Sequence, residues 1–178
     1  MAPPADETQP QLDHRRGIQA DMLAQIITSP ASGQPIVGHD SAILIPGAGI
    51  AGDRYATGRG FYSGVKEWDG HVTLIRLEPF EALAAQGVAI DPRDLRRNLV
   101  TRGIDLASLI GRRFRVGNEA ILRGRKAWPP CVHIVKQSGR TEIFKFLSKD
   151  SGIGADVLVG GKIRVGDPIV LHDEPAAS

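Results

Sequence analysis

Ala155-Asp156-Val157-Leu158-Val159-Gly160-Gly161-Lys162-Ile163-Arg164-Val165 is the stretch whose reading decides the fold. Two short runs rich in β-branched residues flank a pair of glycines, the pattern of two antiparallel strands joined by a tight turn. Immediately upstream in kind, Arg112–Val116 and Ala120–Arg123 flank Gly117-Asn118 and predict a second hairpin. His71–Leu77 reads as a strand, as does Leu99–Thr101, and Ile169–His172 reads as the last one. Ile18–Ser29 alternates apolar and polar residues and predicts a strand, with helix the competitor over Ala20–Ile27. Ile36-Val37 and Ala42–Ile45 form a further strand region, with a break expected at Gly38.

The helical signals are short. Glu78–Gln86 has Pro79 in its first turn and Gly87 to stop it. Asp91-Pro92 repeats the start signal for one or two turns, Ile104–Ile110 gives another turn, and Thr141–Lys149 carries an apolar face. No βαβ alternation is legible. The fold class expected is therefore mostly β with short helices (α+β), an antiparallel barrel or sandwich. Length and pattern give one domain over residues 18–172, between a disordered tail at 1–17 and a second tail at 173–178.

Composition narrows the function. No run of about 18 apolar residues occurs, so no membrane helix is expected. The N-terminus lacks the basic and apolar regions of a secretory signal. The chain has a single cysteine, which rules out an internal disulfide and points to a reducing, cytoplasmic setting. Between Arg93 and Lys126 there are ten basic and three acidic residues, which leaves 12 basic and 17 acidic in the remainder. A basic segment in an acidic chain suggests an anionic ligand, or else an arginine-rich solvated face. Aromatic content of 5% offers few stacking platforms, which argues against nucleic acid.

Pro46–Gly70 is a long glycine-rich loop that also carries Tyr55, Phe61, Tyr62 and Trp68. It contains Gly47-Ala48-Gly49-Ile50-Ala51-Gly52, a literal G-x-G-x-x-G. A dinucleotide site needs a helix to follow, so that its N-terminus meets the pyrophosphate. The residues that follow, Asp53–Gly60, hold two more glycines and no amphipathic period, so the motif is set aside.

The chemistry converges on Cys131, reached through Trp128-Pro129-Pro130. A thiolate is both a nucleophile and a soft metal ligand, and Arg125 or Lys126 nearby would favour that form. Cys131 and His133 do not make a zinc set, which wants four ligands. The plain alternative is a buried small hydrophobe. Arg97-Asn98-Leu99-Val100-Thr101-Arg102 places two cations around Asn98 and Thr101, a set able to hold an anion by charge and oriented hydrogen bonds. The alternative is a strand with solvent-facing arginines.

Taken in order, Gly52-Asp53-Arg54-Tyr55, His71–Ile75, Arg97–Leu106, Gly111–Phe114, Pro130-Cys131 and Gly160–Asp167 resemble a bacterial stand-alone MOSC domain, named for the C-terminal domain of molybdenum-cofactor sulfurase. The resemblance implies a MOSC-type antiparallel β-barrel that binds the molybdenum cofactor (molybdopterin), an anionic pterin dithiolene with a phosphate. It implies Cys131 as the metal ligand and catalytic centre, with Arg97, Asn98, Thr101, Arg102 and Arg54 in contact with the cofactor. The activity implied is reduction of N-hydroxylated small molecules, with electrons from a separate protein. The second activity implied is sulfur transfer through a Cys131 persulfide, with a separate sulfur donor. Many similar sequences carry another cysteine just before the Pro-Cys pair. Here that neighbourhood is Ala127-Trp128-Pro129, which weakens a dithiol scheme and leaves a one-cysteine role intact.

Overall fold

A computed structural model describes residues 20–65, 70–130, 139, 147 and 150–172. Its strands are β1 (Met22–Thr28), β2 (Val37–His39), β3 (Ser41–Ile45), β4 (Gly49–Ile50), β5 (Val72–Arg76), β6 (Leu99–Arg102), β7 (Arg113–Val116), β8 (Ala120–Ala127), β9 (Ile153–Val159), β10 (Gly161–Arg164) and β11 (Ile169–Leu171). One α-helix, α1 (Glu78–Ala85), and two single 3-10 turns, Pro92–Leu95 and Leu106–Leu109, complete the described elements. The chain is mostly β with a small helical part, as its patterning predicts. The expected tails, and all of the expected Thr141–Lys149 helix except the helical and buried Leu147, lie outside the described residues.

The strands form an eight-stranded sheet, β11-β7-β8-β9-β5-β6-β1-β2, and a three-stranded sheet, β10-β3-β4. The hairpin of β7 and β8 forms as expected, with Arg113 opposite Arg123 and Val116 opposite Ala120. The hairpin over 155–165 does not. β9 lies between β8 and β5, whereas β10 pairs with β3 in the other sheet. The alternation located both strands correctly but did not encode their partners. Gly160-Gly161 is a corner where the chain crosses between sheets. A side chain at Gly160 would sit 2.5 Å from the Leu44 carbonyl oxygen and 2.8 Å from Pro46 Cδ, so the backbone passes only because there is none.

Two further expectations are corrected. β5 and β6 run parallel, joined through α1 and the Pro92–Leu95 turn, so one βαβ crossover is present. Phe80 and Leu83 of α1 cover that crossover from one side. The break between β2 and β3 falls at Asp40, not Gly38, which is paired opposite Ile27. After Gly52 the chain makes turns rather than a helix, in keeping with the rejected dinucleotide motif.

Burial follows strand parity. Leu23, Leu74, Leu99, Phe114, Leu122 and Ile153 share one core. Ile27, Ile75, Val100, Phe80, Leu83 and Leu147 share a second. Neighbouring residues of β5 and β6 therefore serve opposite cores, which is why both strands are apolar on both faces. The two ends of the large sheet approach each other: Met22 bridges Pro168, and Leu23 N donates to the Asp167 carbonyl at 2.9 Å while Gly166 N donates to the Leu23 carbonyl at 2.8 Å. This is a single bridge rather than a ladder, so no closed barrel is formed among the described strands. No described helix is long and apolar enough to cross a membrane.

Candidate functional site

The site is assembled by three consecutive residues at the entrance to β6. Asp91 caps the preceding 3-10 turn, with Oδ1 accepting from Arg93 N at 2.8 Å, and Pro92 starts it. The turn ends at Arg96 in a left-handed conformation, φ 53°. That conformation costs a non-glycine residue on the order of 1 kcal/mol, so it needs support from its surroundings. Arg54 Nη2 donates to the Arg96 carbonyl at 2.9 Å, and Arg96 Nη2 donates to Ser29 Oγ at 2.7 Å and the Gln34 carbonyl at 2.9 Å.

Asp53, 2% exposed, organises the other side of this junction. Its Oδ1 accepts from Ser29 N at 3.1 Å and Arg54 Nη1 at 3.3 Å, and its Oδ2 accepts from Tyr55 N at 3.2 Å. The Arg54 guanidinium also lies over the Tyr55 ring, 4.8 Å from its centre. Burial, followed by repulsion from Arg54, lowers the pKa of Arg96 below the usual guanidinium value, against the pull of Asp53 and Tyr55. The cluster holds more cation than carboxylate, an arrangement suited to an anion.

Arg97 points the other way. It is 5% exposed, and its Nη2 donates to the Trp128 carbonyl at 2.6 Å and the Pro129 carbonyl at 3.3 Å. The Trp128 amide in turn donates to the Gly152 carbonyl at 2.9 Å. Arg97 thus grips the backbone two and three residues before Cys131, which itself lies outside the described residues. The grip joins two segments that the sequence reading had linked only by chemistry.

The remaining sequence-predicted residues are placed differently. Asn98 is 1% exposed, and its side chain ties three strands together. Oδ1 accepts from Thr73 N at 3.2 Å and Thr73 Oγ1 at 3.0 Å, and Nδ2 donates to the Ile27 carbonyl at 3.3 Å. Thr101 is fully buried, with Oγ1 donating to the Ile75 carbonyl at 3.3 Å. Arg102 is paired with Glu81 of α1 through both guanidinium nitrogens. That bond lowers the Glu81 pKa and raises the Arg102 pKa from their ordinary values. Arg97 and Arg102 therefore reach different partners, the Trp128 carbonyl and the Glu81 carboxylate.

Arg54 and Arg96 are therefore brought together beside Asp53 while Arg97 faces the Trp128 backbone, and Arg96 is the member the sequence reading missed. Its signal was the capped Asp91-Pro92 turn directly before Arg97, which makes residue 96 the turn's end. Beside Pro129 lies a groove of 190 Å³ lined in part by Arg76, Asp105, Leu106, Ile110 and Asp150. Arg76 sits 3.7 Å from both Glu78 and Asp150, so this groove carries more acid than base.

A family model described as MOSC domain matches residues 59–170, a span that includes Arg96–Arg102 and Cys131 but not Arg54. Among solved structures, the chain is similar to the YuaD protein from Bacillus subtilis, with 18% identity and a TM-score of 0.69 over 88% of this chain and 97% of that one. It is also similar to YiiM from Geobacillus stearothermophilus (16% identity, TM-score 0.62, 86% of this chain and 75% of that one). YiiM from Escherichia coli gives 17% identity and a TM-score of 0.59, over 88% of this chain and 72% of that one. At these identities the likeness concerns the fold. No curated protein matches the chain by sequence.

Proposed function

The chain belongs to the MOSC domain family, and from that premise we propose that it binds the molybdenum cofactor through Cys131 and reduces N-hydroxylated small molecules. The observation that carries this reading is the Arg97 grip on the Trp128 and Pro129 carbonyls, which sets a buried cation against the approach to Cys131.

The residues present suit the group. The cofactor is anionic; Arg54 and Arg96 offer two guanidiniums beside the carboxylate of Asp53, and Arg97 offers a third at the Trp128 and Pro129 carbonyls. A pterin dithiolene brings its own sulfur ligands, so one protein thiolate completes a soft set. Among the described residues no cluster of three His, Cys, Asp or Glu is placed to hold a metal by protein ligands alone. Arg97 fixes the backbone at Trp128 and Pro129, ahead of Cys131 in the chain, and positive charge beside a cysteine favours its thiolate. Arg54 and Arg96 supply the counter-charge. When bound, the cofactor supplies two-electron oxygen-atom removal. Electrons come from a separate protein, in the cytoplasm.

The test uses protein purified from a cofactor-competent host, with an N-hydroxylated purine as substrate and reduced viologen as electron donor. The wild type turns over, and Cys131→Ser does not. Metal-loaded wild type without turnover would overturn the reductase assignment. If that protein instead gained the mass of one sulfur atom after incubation with a cysteine desulfurase, Cys131 would be a persulfide carrier.

A further inference from the structure

Arg96 and Arg97 are neighbours in the chain, yet their side chains reach different segments. Arg96 Nη2 goes to Ser29 Oγ and the Gln34 carbonyl, and Arg97 Nη2 goes to the Trp128 and Pro129 carbonyls. The peptide group between them sets this divergence. Its orientation follows from Arg96, which lies in the left-handed region at φ 53° and ψ 34°. A side chain is disfavoured there, so the conformation persists only where its neighbours hold it. The oxygen of that peptide group accepts from Arg54 Nη2 at 2.9 Å. Arg54 is held in turn, with Nη1 donating to Asp53 Oδ1 at 3.3 Å. One guanidinium fork therefore bridges the Asp53 carboxylate and the Arg96 carbonyl.

Asp53 is anchored independently of both arginine side chains. Its Oδ1 also accepts from Ser29 N at 3.1 Å, its Oδ2 accepts from Tyr55 N at 3.2 Å, and its own amide donates to the Ile50 carbonyl at 3.0 Å. The Arg54 amide donates to the Ser29 carbonyl at 2.8 Å, which ties this turn to the end of β1. A turn needs only an acceptor for backbone amides, and a neutral Asn or Ser supplies one without taking a charge out of water. A carboxylate that is 2% exposed is explained by the guanidinium it aims. From this we propose that Asp53 is a positioning residue. Acting through Arg54 and the Arg96 carbonyl, it fixes the direction in which Arg97 leaves the backbone, and with it the grip on Trp128 and Pro129. That Asp53 aims Arg97 stands on these hydrogen bonds alone; that the aim serves a bound cofactor rests on the reading above.

The experiment is amide hydrogen exchange, followed by NMR, on the full cofactor-free chain. The Trp128 amide donates to the Gly152 carbonyl at 2.9 Å, so its exchange reports how firmly that segment is held. Amides of the β7–β8 hairpin report unfolding of the sheet as a whole. In Asp53→Asn the Trp128 amide exchanges about tenfold faster relative to the hairpin amides. Arg54→Lys has the same effect, because one ammonium does not bridge both oxygens as the fork does. Adding Arg96→Gly to Asp53→Asn returns Trp128 protection toward the wild type, because glycine enters the left-handed region without penalty. Trp128 exchange that is unchanged in Asp53→Asn, or that rises only as much as in the hairpin, would overturn the proposal. A double variant that recovers nothing would overturn the route through residue 96. Molybdenum content of the same chains, purified from a cofactor-competent host, separates the two claims. The expected result is a metal-loaded wild type and a metal-poor Asp53→Asn. A wild type without molybdenum removes the cofactor reading and leaves the positioning, whereas full molybdenum in an Asp53→Asn chain with a loosened Trp128 removes the link between them.

Discussion

Asn98→Ala tests how the site is held in place. The substitution deletes the acceptor of the Thr73 amide and hydroxyl, and the donor to the Ile27 carbonyl, at a residue 1% exposed. A buried amide left without its acceptor costs about 1–3 kcal/mol, and each lost bond to a neutral group about 1 kcal/mol. The expected loss is about 3 kcal/mol, a large part of the ~5–15 kcal/mol that stabilises a typical domain. With a urea slope of about 2 kcal/mol/M, the midpoint falls by about 1.5 M. Equilibrium urea unfolding of the cofactor-free chain, followed by circular dichroism, measures it. Thr73→Val should be coupled to Asn98→Ala in a double-mutant cycle by about 1 kcal/mol. A loss below about 1 kcal/mol, with no coupling, would refute the view of Asn98 as the tie between β1, β5 and β6.

Other perturbations are as direct. Gly152 has φ +89°, and a side chain there would collide with the Leu74 carbonyl oxygen, so Gly152→Ala should cost about 3 kcal/mol or more in the same urea experiment. Arg97→Lys keeps the charge but loses the planar fork on the Trp128 and Pro129 carbonyls, and should lower molybdenum content per chain while leaving the chain folded. Arg102 holds the Glu81 carboxylate below its ordinary pKa. Its stabilising effect is present above the unfolded carboxylate range and is lost as pH falls through the depressed folded value. An NMR titration should show the Glu81 midpoint return upward in Arg102→Gln, and no change there would refute the pairing.

Strand positions were legible because side-chain alternation reports which residues face a core. β7 and β8 were also legible as partners, because Gly117-Asn118 makes a local turn. β9 and β10 were not, because a glycine pair signals a turn and a close backbone approach equally well. Only the position of Leu44 and Pro46 tells which one applies. The parallel pairing of β5 with β6 was hidden for a related reason, since a crossover through one short helix leaves no repeat to read. At the site, the arginine content was legible and its geometry was not. Arg97 and Arg102 look equivalent in sequence, yet one reaches the Trp128 carbonyl and the other reaches Glu81. Arg96 was overlooked because its part depends on a left-handed backbone and on Arg54, 42 positions away.

The central claim is that Cys131 is the ligand of a molybdenum centre whose approach Arg97 holds. Metal analysis of wild type beside Cys131→Ser, both purified from a cofactor-competent host, tests it most directly. The account predicts molybdenum close to one per chain in the wild type and little in the variant, with both chains folded. Molybdenum retained in Cys131→Ser, or missing from a wild type that also refuses cofactor offered in vitro, would contradict it.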